Sequence, residues 1–184
     1  MKFSKYKIVS VLGSLALSSL SFAYDFEKAD ELFRKRGEGA AKTTEARGCY
    51  AEALGDASLS VAERVYAVSQ MSRLDLYKGA MIPNVRIEDK KTTLESCISN
   101  LDTNLAQNKN QEYYYYYLTC VAFRGKIEDK NPLPWALKLK RVYSDALASL
   151  SGQVPYEGGG IYRVLSGVKG NPRADALGLY DPEE

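Results

Sequence analysis

The sequence predicts an all-α chain, and three observations carry that expectation. Apolar residues recur at helical spacing through most of residues 24–150. No stretch alternates in the way a half-buried strand must. Glycines, prolines and short polar clusters cut the periodic stretches into pieces of helix length.

The first expected helix covers residues 24–37, where Phe26, Ala29 and Phe33 recur with Leu32 beside them. A second covers 43–54 and places Ala46, Tyr50, Ala53 and Leu54 on one face. Residues 56–60 read as a polar turn with several capping candidates. A third helix then runs to about Lys78 on Val61, Val65, Ala67, Val68, Met71 and Leu74. Gly79 is expected to end it, and Pro83 with Asn84 marks a loop. A fourth helix begins near Asp89 or Thr92 and carries Leu94, Cys97, Ile98, Leu101 and Leu105. A tight connection at 108–110 leads to a fifth, 112–124, closing at Gly125. Pro132 and Pro134 open a sixth that runs to about Leu150, and a short helix is expected over 161–168.

These helices contain a repeat. Tyr50-Ala51-Glu52-Ala53-Leu54 is echoed by Tyr143-Ser144-Asp145-Ala146-Leu147, and Cys97-Ile98-Ser99-Asn100-Leu101 lies between them, at steps of 47 and 46 residues. Gly79 and Gly125, each expected to close a helix, are 46 apart, and Gly37 plays that part in the first unit. The spacing predicts about three stacked helix-turn-helix units, because one helix pair cannot bury both apolar faces alone.

Composition narrows the function. The chain has 25 basic and 23 acidic side chains and no histidine. Without the three lysines of residues 1–23 the balance is 22 against 23, which does not suit a nucleic-acid binder. Lacking imidazole, the chain cannot build a Ser-His-Asp or Cys-His nucleophile or the usual mononuclear zinc site. No enzyme activity, metal or cofactor is expected.

Residues 1–23 have the three parts of a secretory signal. Lys2, Lys5 and Lys7 come first, then an apolar or small run interrupted by serines. Ser21-Phe22-Ala23 puts small residues at the two positions a signal peptidase reads. A membrane span needs about 20 apolar residues, and this run is shorter. No cysteine lies within it or just after it, so neither a lipid anchor nor another stable membrane anchor is expected. The expected organisation is a signal peptide, 1–23, and one helical-repeat domain, 24–184, free in a bacterial periplasm.

An oxidising compartment permits a disulfide, and Cys49, Cys97 and Cys120 leave one thiol over. Cys97 lies eleven residues before Asn108 and Cys120 twelve after it. In an antiparallel hairpin with its tip near Asn108 the two sulfurs stand at one height. A Cys97–Cys120 bridge with Cys49 as a buried free thiol is therefore expected. Cys49–Cys97 is the weaker pairing, and three reduced core cysteines are the alternative.

A family resemblance rests on particular residues. Ala46, Tyr50 and Ala53 are spaced as in the second helix of tetratricopeptide repeats. Ala29-Asp30-Glu31-Leu32-Phe33 resembles a first-helix opening in that family. Residues 26–54, the tyrosine-rich 113–120 and Tyr156-Glu157-Gly158-Gly159-Gly160-Ile161-Tyr162-Arg163-Val164-Leu165 are similar to periplasmic helical-repeat proteins associated with TRAP-type transporters, the T-component group. The resemblance implies a short tetratricopeptide-like solenoid with a glycine-containing C-terminal segment. It also implies a non-enzymatic adaptor whose partner is a periplasmic protein or peptide, such as a transporter's solute-binding component.

The candidate binding residues are Tyr113, Tyr116, Tyr117 and Arg163. Five consecutive tyrosines, 113–117, sweep more than one helical turn and cannot share a face. Either their helix is buried nearly all round, or some rings line a groove or a cavity for a small hydrophobic ligand. The carrier reading is the alternative to the adaptor. Gly158-Gly159-Gly160 lacks the Lys-Ser or Lys-Thr of a phosphate-binding loop. Those glycines are expected to turn the chain and let Arg163 reach a carboxylate or a carbonyl. The near copies at 86–90 and 126–130 read as helix N-terminal acids and solvated loop charge.

Overall fold

The computed structural model describes residues 24–128, 131–152, 154 and 156–170. The expected signal peptide and residues 171–184 lie outside the described residues. Among those described the chain is all helical, with seven α-helices: α1 (Glu27–Arg34), α2 (Ala40–Ala53), α3 (Val61–Leu76), α4 (Ile87–Gln107), α5 (Gln111–Lys126), α6 (Leu133–Ala148) and α7 (Gly160–Lys169). None is long and apolar enough to cross a membrane.

Several boundaries have clear local causes. Ser60 and Glu63 form a reciprocal capping box at the start of α3, the serine hydroxyl accepting from Glu63 N–H and the carboxylate from Ser60 N–H. Asn110 caps α5 by accepting from Tyr113 N–H at 3.0 Å. Pro134 sits in the first turn of α6, where a missing N–H costs nothing. The helix α4 begins at Ile87, earlier than Asp89 or Thr92, so Glu88 and Asp89 fall in its first turn and favour its dipole.

The glycines do not end helices in the way the sequence suggests. A glycine stop uses the left-handed conformation, and Gly37, Gly79 and Gly125 all lack a positive φ. After α1 the chain tightens into a 3₁₀ turn, Lys35–Glu38, that includes Gly37. After α3 it widens into a π turn, Tyr77–Met81, closed by Ile82 N–H donating to Tyr77 C=O at 3.2 Å. Gly79 is there for contact. A Cβ on it would lie 2.7 Å from Leu94 Cγ on α4, and Leu94 is fully buried. Gly125 is likewise passed, and α5 continues to Lys126.

Each helix packs on the next in the chain, and α5 also touches α3 and α7. The apolar residues form two clusters. One gathers Phe26, Ala29, Ala46, Tyr50, Ala53, Ala67, Met71 and Leu74 from α1 to α3. The other surrounds α5 with residues of α4, α6 and α7 and takes Val68 from α3. The repeat motif keeps its register: Tyr50, Cys97 and Tyr143 are each the eleventh residue of α2, α4 and α6. Tyr50 and Cys97 are fully buried, whereas Tyr143 is half-buried beside Lys169.

The hairpin of α4 and α5 is closed by a Cys97–Cys120 disulfide, Cα to Cα 6.5 Å, between two fully buried positions. Cys49 is free and half-buried, more open than expected. The bridged cysteines are separated by 23 positions in sequence, so reduction of the bridge is expected to lower stability by about 3 kcal/mol. Denaturation with and without reductant measures this, and alkylation of the unreduced protein should label one thiol. Gly79→Ala forces the fully buried Leu94 aside. It should cost about 1–3 kcal/mol in the same assay.

Candidate functional site

The tyrosine-rich helix is core. Tyr113, Tyr114, Tyr116 and Tyr117 are between 0 and 3% exposed, and Tyr115 is half-buried. The cause is the position of α5, which has α3, α4, α6 and α7 around it. Tyr113, Tyr116 and Tyr117 therefore offer almost no surface to a ligand, the arrangement expected of a helix buried nearly all round rather than of rings lining a groove. The hydroxyls of Tyr116 and Tyr117 are spent within the fold. Tyr116 shares a hydrogen bond with the Tyr156 hydroxyl at 3.0 Å, and Tyr117 accepts from Arg141 at 3.5 Å. Burial pushes the phenols of Tyr113 and Tyr117 up to about 12. Burial, reinforced by the bond to Tyr156, raises that of Tyr116 as well. All three stay protonated across the physiological range.

Arg163 takes the simpler of its two expected roles. It is exposed on α7, and its guanidinium donates to the Glu157 backbone carbonyl at 2.7 Å. Glu157 is left-handed, with φ 51° and ψ 40°, so Arg163 ties down a strained residue. Gly159 follows with φ +90°, and a Cβ on Gly160 would lie 2.7 Å from the Tyr115 ring. The glycine segment thus seats α7 against α5.

Three polar clusters escaped the sequence reading. Asp30 on α1 accepts from Tyr66 at 2.7 Å and forms a very short hydrogen bond with Tyr50, joining α1, α2 and α3. The signal was Tyr50 itself, since a tyrosine buried on a repeat position needs an acceptor from a neighbouring helix. The second cluster links α2, α3 and α4. Arg47 pairs with the buried Asp75 at 2.6 Å and donates to Ser96 at 3.1 Å. Asp75 follows Val68 and Met71 by seven and four residues, on the apolar stripe of α3. Burial raises its carboxyl to about 6 against the opposing pull of Arg47. In the third, the buried Arg124 pairs with Glu95 and Glu128, each at 2.8 Å, and lies over the Trp135 ring at 4.5 Å. Glu128, expected as solvated loop charge, is thus part of the packing between α4, α5 and α6.

Two open clefts mark the surface. One of about 490 Å³ lies between the start of α2, the π turn and α4, lined by Ala40, Lys78, Asn84, Arg86, Asp89 and Thr92 among others. A second, about 250 Å³, lies at the start of α5 between Val65, Gln111, Glu112 and Tyr156. Among the described residues no cluster of three or more metal-ligating side chains occurs. The chain matches no known protein family, no curated protein and no solved structure.

Tyr117→Ala should cost about 3–5 kcal/mol as a large core truncation, whereas Arg163→Ala should change stability by less than about 1 kcal/mol; chemical denaturation reads both. Asp75 gives a pH signature. Its folded value, about 6, lies above its ordinary 3.8, so its contribution is full below pH 4 and is lost as pH rises through 6. Wild type should lose on the order of 3 kcal/mol relative to Asp75→Asn across that window, measured as the difference between two stability–pH curves.

Proposed function

We propose that the chain is exported through a cleavable signal at residues 1–23 and works in the periplasm as a non-enzymatic adaptor. In this reading it is a short tetratricopeptide-like solenoid of three helix pairs, similar to the T-components of TRAP-type transporters, and it holds another periplasmic protein. The observation that carries the repeat reading is the register of Tyr50, Cys97 and Tyr143, each eleven residues into the second helix of its pair. The buried Cys97–Cys120 disulfide fits an oxidising compartment. Exposed apolar side chains offer contact points for a partner. Met81 lies in the π turn and Ile87 begins α4, and Leu133 and Leu137 lie one turn apart on α6.

The carrier reading has less support. Its tyrosines are packed in the core, the smaller cleft falls below the roughly 300 Å³ at which ligand pockets begin, and the larger one is an open cleft rimmed by charged side chains such as Lys78, Arg86 and Asp89. Affinity capture from periplasmic extract, analysed for proteins and lipids by mass spectrometry, tests the two. The adaptor reading expects a stoichiometric protein partner whose recovery falls with Met81→Lys or Leu137→Lys. A stoichiometric lipid with no protein partner would replace it with the carrier.

A further inference from the structure

The start of the described chain meets a buried carboxylate. Tyr24 N–H donates to Glu63 Oε1 at 2.8 Å, and Glu63 is 2% exposed. The other oxygen of the same carboxylate, Oε2, accepts from the Ser60 N–H at 2.8 Å and hydroxyl at 2.6 Å. The capping box therefore leaves Oε1 facing Tyr24. The position is held from the other side as well. The Tyr24 ring lies 4.8 Å from that of the buried Phe26, which packs on Tyr66 at 5.2 Å and on Tyr50 at 6.1 Å. A helix N-cap needs only one oxygen of its glutamate, and here the second oxygen accepts from Tyr24.

Tyr24 is also the residue that follows Ser21-Phe22-Ala23, the small-residue pattern of a signal-peptidase site. We propose that Glu63 is the receptor for the N-terminus created by signal removal, forming a buried ion pair with the α-ammonium of Tyr24. This rests on the export reading above. A signal peptidase adds water across the Ala23–Tyr24 amide. The hydroxyl goes to the Ala23 carbonyl, which leaves as a carboxylate, and the Tyr24 nitrogen keeps a hydrogen and takes up protons to become an ammonium. One N–H donor at Glu63 Oε1 becomes a cationic group at the same place, and the hydrogen bond becomes charge-assisted. A peptidase needs its substrate extended, so cleavage precedes docking, and the finished N-terminus completes the junction of α1 with α3.

Charged and titratable groups on the elements that meet here include Asp25 and Asp30 from the α1 side, Asp56 from the α2–α3 connection, Arg64 and Tyr66 on α3 and Tyr50 on α2. Asp56 is held low by its bonds to Ser58, and Tyr66 is raised to about 12 by burial. Neither titrates where an α-amine does, about 7.7–8.0 when exposed. An amine paired with Glu63 titrates higher. Its stabilising contribution is complete below the exposed value and is lost as pH rises through the folded one.

The test uses the full chain, expressed with its own leader and recovered from the periplasm. N-terminal sequencing and intact mass locate the cut, and the ¹³Cα shift of Tyr24 is followed from about pH 6 to about pH 10.5. The proposal expects a chain beginning at Tyr24 whose amine titrates above about 9. Glu63→Gln keeps an acceptor for the capping box and should return the amine to about 8. If that variant does not fold, the wild-type titration decides alone. An amine titrating near 8 in a chain that begins at Tyr24 overturns the ion pair and leaves export standing, as does a raised value that survives Glu63→Gln. A retained leader, or a cut elsewhere, removes the export reading or its cleavage site and the proposal with it.

Discussion

The fold depends on how completely α5 is surrounded. A helix with neighbours on four sides leaves little azimuth for solvent, so most positions must be apolar or carry a polar group that finds a partner at its edge. Tyrosine satisfies both conditions at once. Its ring fills the volume between helices and its hydroxyl reaches the rim, as with Tyr116 at Tyr156 and Tyr114 near Asp145. Burial of four of the five tyrosines, all but Tyr115, follows from this placement. The disulfide adds to the same end, because it fastens α5 to α4 from inside the core rather than across an exposed edge.

Around α1 to α3 the work is divided differently. There the apolar cluster is built from smaller side chains, and carboxylates make the joints between helices. Asp30 collects two tyrosine hydroxyls, Asp75 receives Arg47, and Glu63 closes the α3 cap while holding Tyr24. Asp30 and Asp75 find partners on other helices and Glu63 finds one in the segment before α1, which is why Asp75 and Glu63 can be buried. Asp75 is the least satisfied, since its Oδ2 has no hydrogen-bond partner, and this matches the upward push on its carboxyl.

Much of the helix order could be read from spacing alone, because the apolar stripes of α3, α4 and α5 are long. The disulfide was legible for a geometric reason: a short connection makes height along a hairpin a matter of counting from Asn108. The helix ends were harder. Gly79 and Gly125 look like stops, yet their lack of a side chain serves close approach to Leu94 and Trp135. The two uses cannot be told apart until the neighbour is known. The tyrosine run was ambiguous for a similar reason, since burial of Tyr116 depends on what α7 and Tyr156 cover. Asp30 stayed hidden because an acid near the start of an expected helix has an ordinary explanation in the helix dipole.

The division of the core at α3 has a mechanical consequence. Ala67 and Val68 are neighbours in sequence but belong to different clusters, with Met71 and Leu74 on the side of Ala67. A helix is a stiff rod, and close-packed interiors transmit displacement rather than absorb it. Sliding or rolling α3 to improve its fit on one side therefore spoils the fit on the other. The two halves are geared together through one shaft. Tyr24, hydrogen-bonded to Glu63 in the first turn of α3, thus sits on the same rod that carries Val68 into the disulfide-braced cluster.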